Sequence, residues 1–256
     1  MSVRREFYEV GARPRIEVRT RTGRILVDGH DDGGVEVMID GKNADAFTVE
    51  RYGDAVSIRQ SSERSFSSGS HRVALRVPHD SEVDIAVTSA DVEVMSTIGD
   101  LRVSAASGDV SARKIERDLT LKAASGDVDV EEVQGRVQIT TASGDIDIRT
   151  VGRHCTISSA SGDIEIGAAS GDLRIKTASG DIEVDRFLGG EVDCKTVSGD
   201  LTARIPSGRR VQVDLQTMTG NVHLPESRKD ATEVVDGESV SIRFRSVSGD
   251  VRLDRA

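Results

Sequence analysis

Six aspartates, Asp109, Asp127, Asp145, Asp163, Asp181 and Asp200, each follow a Ser-Gly pair, and the triplets begin at Ser107, Ser125, Ser143, Ser161, Ser179 and Ser198. In four of them a second carboxylate stands two residues on, at Asp129, Asp147, Glu165 and Glu183. Carboxylates repeated at one spacing suit two kinds of chemistry. They could hold calcium, which takes oxygen ligands, and Asp127, Asp145, Asp163 and Asp181 are the candidates for that. They could also form acid/base pairs of the kind that cleave sugars, Asp145 with Asp147 for example. Neither pattern fits closely. The calcium nonapeptide Gly-Gly-x-Gly-x-Asp-x-apolar-x shares a nine-residue period, but here two of its glycines are missing and Asp follows Gly directly. A catalytic pair should be singular, whereas this one recurs from repeat to repeat, and a chain with no Trp, two Tyr and five Phe offers few platforms for sugars. Carboxylates stacked ~4.8 Å apart repel by about 0.9 kcal/mol even at the dielectric of water. The simplest offset is that each Asp accepts turn N–H groups and a Ser hydroxyl.

The other reactive side chains do not assemble in sequence. His30, His71, His79, His154 and His223 are scattered and form no metal-ligand set, and His30-Asp31-Asp32 reads as an exposed turn. Two cysteines, Cys155 and Cys194, supply neither a disulfide framework nor a metal quartet. No catalytic residue, cofactor site or resident metal is assigned.

The elements that must carry these residues follow from composition and period. Of 256 residues, 32 are Val and 17 Ile against 11 Leu, and β-branched side chains favour the pleated sheet. The formal charge of -10 disfavours a nucleic-acid partner, whose phosphates call for basic patches. No apolar run approaches the ~20 residues that span a bilayer, and the opening MSVRREFYEVGARPR has no apolar stretch behind its basic residues, so the expected location is cytoplasmic, with no membrane insertion.

The Ser-Gly-Asp triplets are spaced by 18 four times and then by 19, and weaker copies lie halfway, at Ile98-Gly99-Asp100, Arg117-Asp118, Gly135-Arg136, Gly152-Arg153, Ser170-Gly171-Asp172 and Gly189-Gly190-Glu191. Each 18-residue unit is therefore two nine-residue halves. ASGDIDIRT from Ala142 shows one half: a bend, for which Gly108, Gly126, Gly144, Gly162, Gly180 and Gly199 supply the positive φ, then an apolar-polar-apolar strand with one buried face. The residue before the bend is Ala106, Ala124, Ala142, Ala160 or Ala178 in one half and Ile115, Val133, Val151, Ala169 or Leu188 in the other. Two inequivalent corners imply a two-sided parallel β-solenoid; its handedness is not given by the repeat, and right-handed crossovers are the strong default for parallel strands. Its aliphatic interior sets Val128, Val130, Ile146, Ile148, Ile164, Ile166, Ile182 and Val184 against Leu119, Leu121, Val137, Ile139, Ile157, Leu173 and Ile175. Cys155 and Cys194 then fall on inward positions two coils apart, about 10 Å and beyond the ~7 Å reach of a disulfide, and read as buried fillers. Hexapeptide acyltransferase coils also repeat every 18 residues but need a branched aliphatic every six, and counting from Ile146 meets Gly152 and Ser158.

The expected fold is all-β: one domain over 1–256, with irregular N-terminal coils over 1–88, regular repeats over 89–224, and an insertion with a C-terminal closing coil over 225–256. Ser61 to Ser70 reads as a mobile loop. Outward positions make one sheet acidic and the other mixed to basic, with Arg102, Lys122, Arg174, Lys176 and Lys195 beside Thr120, Thr140, Thr156 and Ser158.

The opening Thr22-Gly23-Arg24-Ile25-Leu26-Val27, the Val77-Pro78 step into the repeats and the run of Ser-Gly-Asp copies ending near Val251 resemble the toast-rack domain, a bacterial β-strand-repeat family of unknown function labelled "putative adhesin". The resemblance covers almost the whole chain. It implies a β-solenoid and a role around envelope stress or surface assembly, and no catalytic residues. The functional expectation is a non-enzymatic scaffold or interaction module that binds a protein partner or a second copy through its acidic and basic sheet faces. A cation-dependent adhesin-like surface module is the alternative. A polymerising solenoid of the bactofilin kind is a third reading, opposed by the irregular first 88 residues and the Pro225 to Gly237 insertion, which read as end caps.

Overall fold

A computed structural model describes residues 2–42, 44–61, 71–205, 207, 210–224 and 239–255. The expected loop beyond Ser61 and the Pro225 to Gly237 insertion lie outside the described residues. Apart from one short 3-10 turn at Ala44–Ala46, every described element is a strand. The chain forms two compact units, residues 1–133 and 134–256, and each is a stack of parallel coils.

The nine-residue half builds the strand directly. In Ile146–Val151 the side chains of Ile146, Ile148 and Val151 are buried, while Asp147 and Arg149 are exposed. The same strand recurs 18 residues on, so Ile146 pairs with Ile164 and Ile148 with Ile166, and Ile164 then pairs with Ile182, all parallel. On the other side Cys155–Ser158 pairs in parallel with Leu173–Lys176, which pairs with Glu191–Lys195. Identical registers stack like on like, so every interior residue named above is buried. The two corners differ as expected: Ala142, Ala160 and Ala178 are exposed, whereas Val151 and Ala169 are buried. Where the spacing widens to 19, Phe187 rather than Leu188 takes the buried corner, opposite Ala169. The extra residue is absorbed afterwards, in the Leu188-Gly189-Gly190 turn.

The end of unit 2 departs from sequence order. Glu191–Lys195 pairs not with the next strand in the chain but with Val240–Ser248, and Val211–Thr219 pairs with the far side of Val240–Ser248. Likewise Leu201–Ile205 pairs with Val251–Arg255, which pairs with Val222–His223. The C-terminal coil is thus threaded between two earlier ones, and residues 211–223 form the outer coil instead. Burial agrees: Val240, Ile242 and Phe244 are fully buried, while Val211, Val213 and Leu215 are only half-buried.

Unit 1 has a parallel stack and an antiparallel closure. The 16-residue strand Arg15–His30 pairs in parallel with Glu82–Ile98 on one side, and with Ala55–Gln60 and Arg72–Pro78 on the other. From there Glu82–Ile98 passes the register to Asp100–Ser107 and Val110–Ile115. Beyond Arg72–Pro78 the direction reverses. Val35–Gly41, expected to be part of a coil, runs antiparallel to Arg72–Pro78 and to Ser2–Tyr8, and Phe47–Tyr52 runs antiparallel to Ala55–Gln60.

Candidate functional site

The repeated aspartates line one corner in each unit. In unit 2 the Oδ1 of Asp145 accepts the N–H of Asp163 at 2.9 Å, Asp163 that of Asp181 at 2.8 Å, and Asp181 that of Asp200 at 2.8 Å. The series goes on from Asp200 to Asp250 and from Asp250 to Asn221, each at 2.7 Å. In unit 1 the Oδ1 of Asp109 accepts the N–H of Asp127 at 3.0 Å. One carboxylate oxygen per coil therefore holds the backbone of the next turn. The expected hydroxyl partner is different: Ser161 Oγ donates to the Ala142 carbonyl at 3.3 Å, and Ser125 Oγ to that of Ala106 at 3.5 Å. Of the calcium candidates, Asp145, Asp163 and Asp181 each commit an oxygen in this way, and among the described residues no three His, Cys, Asp or Glu side chains come together as a metal site.

The glycines before them answer two demands at once. Gly162 has φ 111°, a left-handed conformation that side chains resist. A Cβ there would also lie 2.2 Å from the Gly144 carbonyl oxygen of the coil below.

A third column escaped the sequence reading. Thr141, Thr177 and Thr196 are buried and donate their hydroxyls to the carbonyls of Ser143, Ser179 and Ser198 at 3.0, 2.9 and 3.1 Å, and Ser246 does the same to Ser248 at 2.9 Å. Its signal is a Thr or Ser two residues before Ser143, Ser161, Ser179, Ser198 and Ser248, where Ser107 and Ser125 of unit 1 have Ala105 and Ala123.

The histidines serve locally. His71 is buried, 3.0 Å from Thr20 Oγ1 and edge-on to Phe47, His79 Nδ1 lies 2.8 Å from the Thr97 carbonyl, and His154 lies 3.4 Å from Asp172. His30, expected on an exposed turn, is half-buried beside exposed Asp31 and Asp32. Cys155 and Cys194 are buried free thiols on inward positions, and burial pushes the Cys155 thiol up to about 12 and the Cys194 thiol upward as well.

The outward faces of unit 2 carry the charge. On one sheet Asp147, Glu165 and Glu183 stack in register. On the other Lys176, Lys195 and Arg245 do so. In unit 1 a cavity of about 730 Å³ opens on an outward face, lined by Phe7, Leu26, Met38, Ala74 and Met95 with Arg5 and Arg76. Its signal was an unbroken apolar run such as Ile25-Leu26-Val27, apolar on both faces where the repeats alternate.

Coils of this kind, with their polar side chains spent on holding turns, define a parallel β-solenoid. The chain belongs to the Toastrack DUF4097 family, whose profile matches residues 14–254. No functionally curated protein matches it. Among solved structures it is similar to a "putative adhesin" of Bacteroides fragilis, at 14% identity and a TM-score of 0.55 over 98% of this chain and 97% of that one; at that identity the likeness shows the fold alone. A "putative adhesin" and a "putative lipid binding protein" of Parabacteroides distasonis, at 16% and 14% identity and TM-scores of 0.45 and 0.38, each match over 98% of this chain and 97% of theirs. No helix among the described residues is long and apolar enough to cross a membrane.

Proposed function

We propose that this protein is a non-enzymatic scaffold whose outward sheet faces bind protein. The observation that carries the reading is the fate of the repeated carboxylates. An acid that works on a substrate occupies a singular place, whereas each corner aspartate repeats one task, committing one oxygen to the next coil's N–H, turn after turn. That leaves the flat faces, with Thr156 and Lys176 on one sheet and Asp147 and Glu165 on the other, as surface that the fold does not consume. A role in surface assembly or envelope stress, exercised from the cytoplasm and without nucleic acid or membrane insertion, completes the reading; the adhesin label of its relatives supports interaction in general. Photo-crosslinking side chains placed in the cell at Thr156, Lys176 and Glu165 should each give a discrete crosslinked species, and one placed at the corner residue Ala160 should give none. The absence of crosslinks from both faces would remove the reading.

A further inference from the structure

In unit 2 three cations, Lys176, Lys195 and Arg245, lie directly beside one another on adjacent parallel strands. Like charges so placed destabilise a sheet. The neighbouring column avoids the penalty, since Arg174, Asp193, Arg243 and Asp214 alternate in sign along the same strands, with Asp214 3.6 Å from Arg243 and Asp193 4.0 Å from Arg174. The uniform column is thus not forced by the fold. Lys195 lies 3.9 Å from Asp193, while Lys176 and Arg245 are exposed and make no ion pair among the described residues. The opposite sheet repeats the situation with the other sign. Asp147, Glu165 and Glu183 stack in register; Asp147 and Glu165 are exposed without an ion pair among the described residues, and Glu183 lies 3.3 Å from Arg204.

Both columns place one charge per coil, so they share a single rise of ~4.8 Å and match each other charge for charge. They are also offset. Glu165 and Lys176 belong to one coil, Glu183 and Lys195 to the next, so within unit 2 the acidic column begins one coil before the basic one and ends one coil sooner. We propose that the acidic column of one copy docks on the basic column of a second copy, Asp147, Glu165 and Glu183 facing Lys176, Lys195 and Arg245. The partner is then this chain itself, bound through two different faces. Matching all three pairs with coil axes parallel sets each copy one coil along from its neighbour. A heterologous contact with such an advance cannot close into a ring and adds copies in an open row.

The proposal rests on reading the sheet faces as interaction surface, and its test separates the two. Light scattering on a sizing column would follow the mass across a concentration series at about 20 mM and about 500 mM salt, the second screening exposed charges within a few ångströms. Two doubly substituted chains, K176E/R245E and D147K/E165K, would be measured alone and mixed, with circular dichroism and melting showing that each folds. The expected result is a mass that rises with concentration at low salt and returns to 27.4 kDa at high salt, monomers for each variant alone, and renewed assembly when the variants are mixed. A wild-type monomer in both salts, assembly indifferent to the substitutions, or one closed oligomer of fixed size would each overturn it. A monomer that binds polyglutamate through Lys176 and Arg245 would also overturn it, assigning the cations to an acidic polymer. None of these outcomes touches the crosslinking result on which the scaffold reading stands.

Discussion

At the scale of single residues the corner explains more than any pocket. Replacing Gly162 by Ala imposes a left-handed φ on a side chain and drives its Cβ against the Gly144 carbonyl, and the backbone strain alone costs about 1–3 kcal/mol. The urea midpoint should fall accordingly, whereas Gly33→Ala, with no atom within 4 Å of the added carbon, should stay within about 0.5 kcal/mol of wild type. Asp163 separates hydrogen bonding from charge. Asp163→Asn keeps an oxygen for the Asp181 N–H and removes one member of a like-charged column, so its melting temperature at low salt should match or exceed wild type. Asp163→Ala loses the acceptor and should cost about 1 kcal/mol. Calcium should shift none of these melting curves; a rise in wild type lost in Asp163→Asn would instead make the column a metal site.

Elements were legible wherever the period held. Alternation after each Ser-Gly-Asp located the strands, and the 18-residue offset fixed their partners, because a stack of identical registers admits no other neighbour. Three features escaped for physical reasons. The 19-residue spacing could be absorbed on either side of the corner, and only packing decides for Phe187, whose ring fills the buried column, over Leu188. The antiparallel run of Val35–Gly41 leaves no trace in sequence, since alternation is blind to strand direction. Above all, the copies at 211–223 and 240–255 both fit the coil pattern, and periodicity does not say which lies inside. Truncation can: Phe244→Ala, on a fully buried ring, should cost about 3–5 kcal/mol, and Leu215→Ala on the half-buried outer coil about a third of that. A reversed ranking in urea would restore the coils to chain order.

For the whole molecule, the repeat runs from Val128 through Val137 to Ile146 without a change of period, although the chain forms two compact units. We therefore expect residues 1–256 to unfold as one domain. The chain has no Trp, so Phe47→Trp and Phe187→Trp each give a single fluorescent probe, one in each unit. Coincident urea midpoints would bear this out, and separated ones would make the units independent domains. The threading of the C-terminal coil has a bearing on how the protein is made. Residues 211–223 leave the ribosome before the strand they finally rest on has been translated, a gap on the order of seconds at roughly 5–20 residues per second. In that interval Val211–Thr219 either waits with its edge open or borrows the place beside Glu191–Lys195 that Val240–Ser248 will claim. Until residues 240–255 are made, the place beside Glu191–Lys195 stays open to Val211–Thr219, so the order of the coils in unit 2 depends on how fast the later strand arrives.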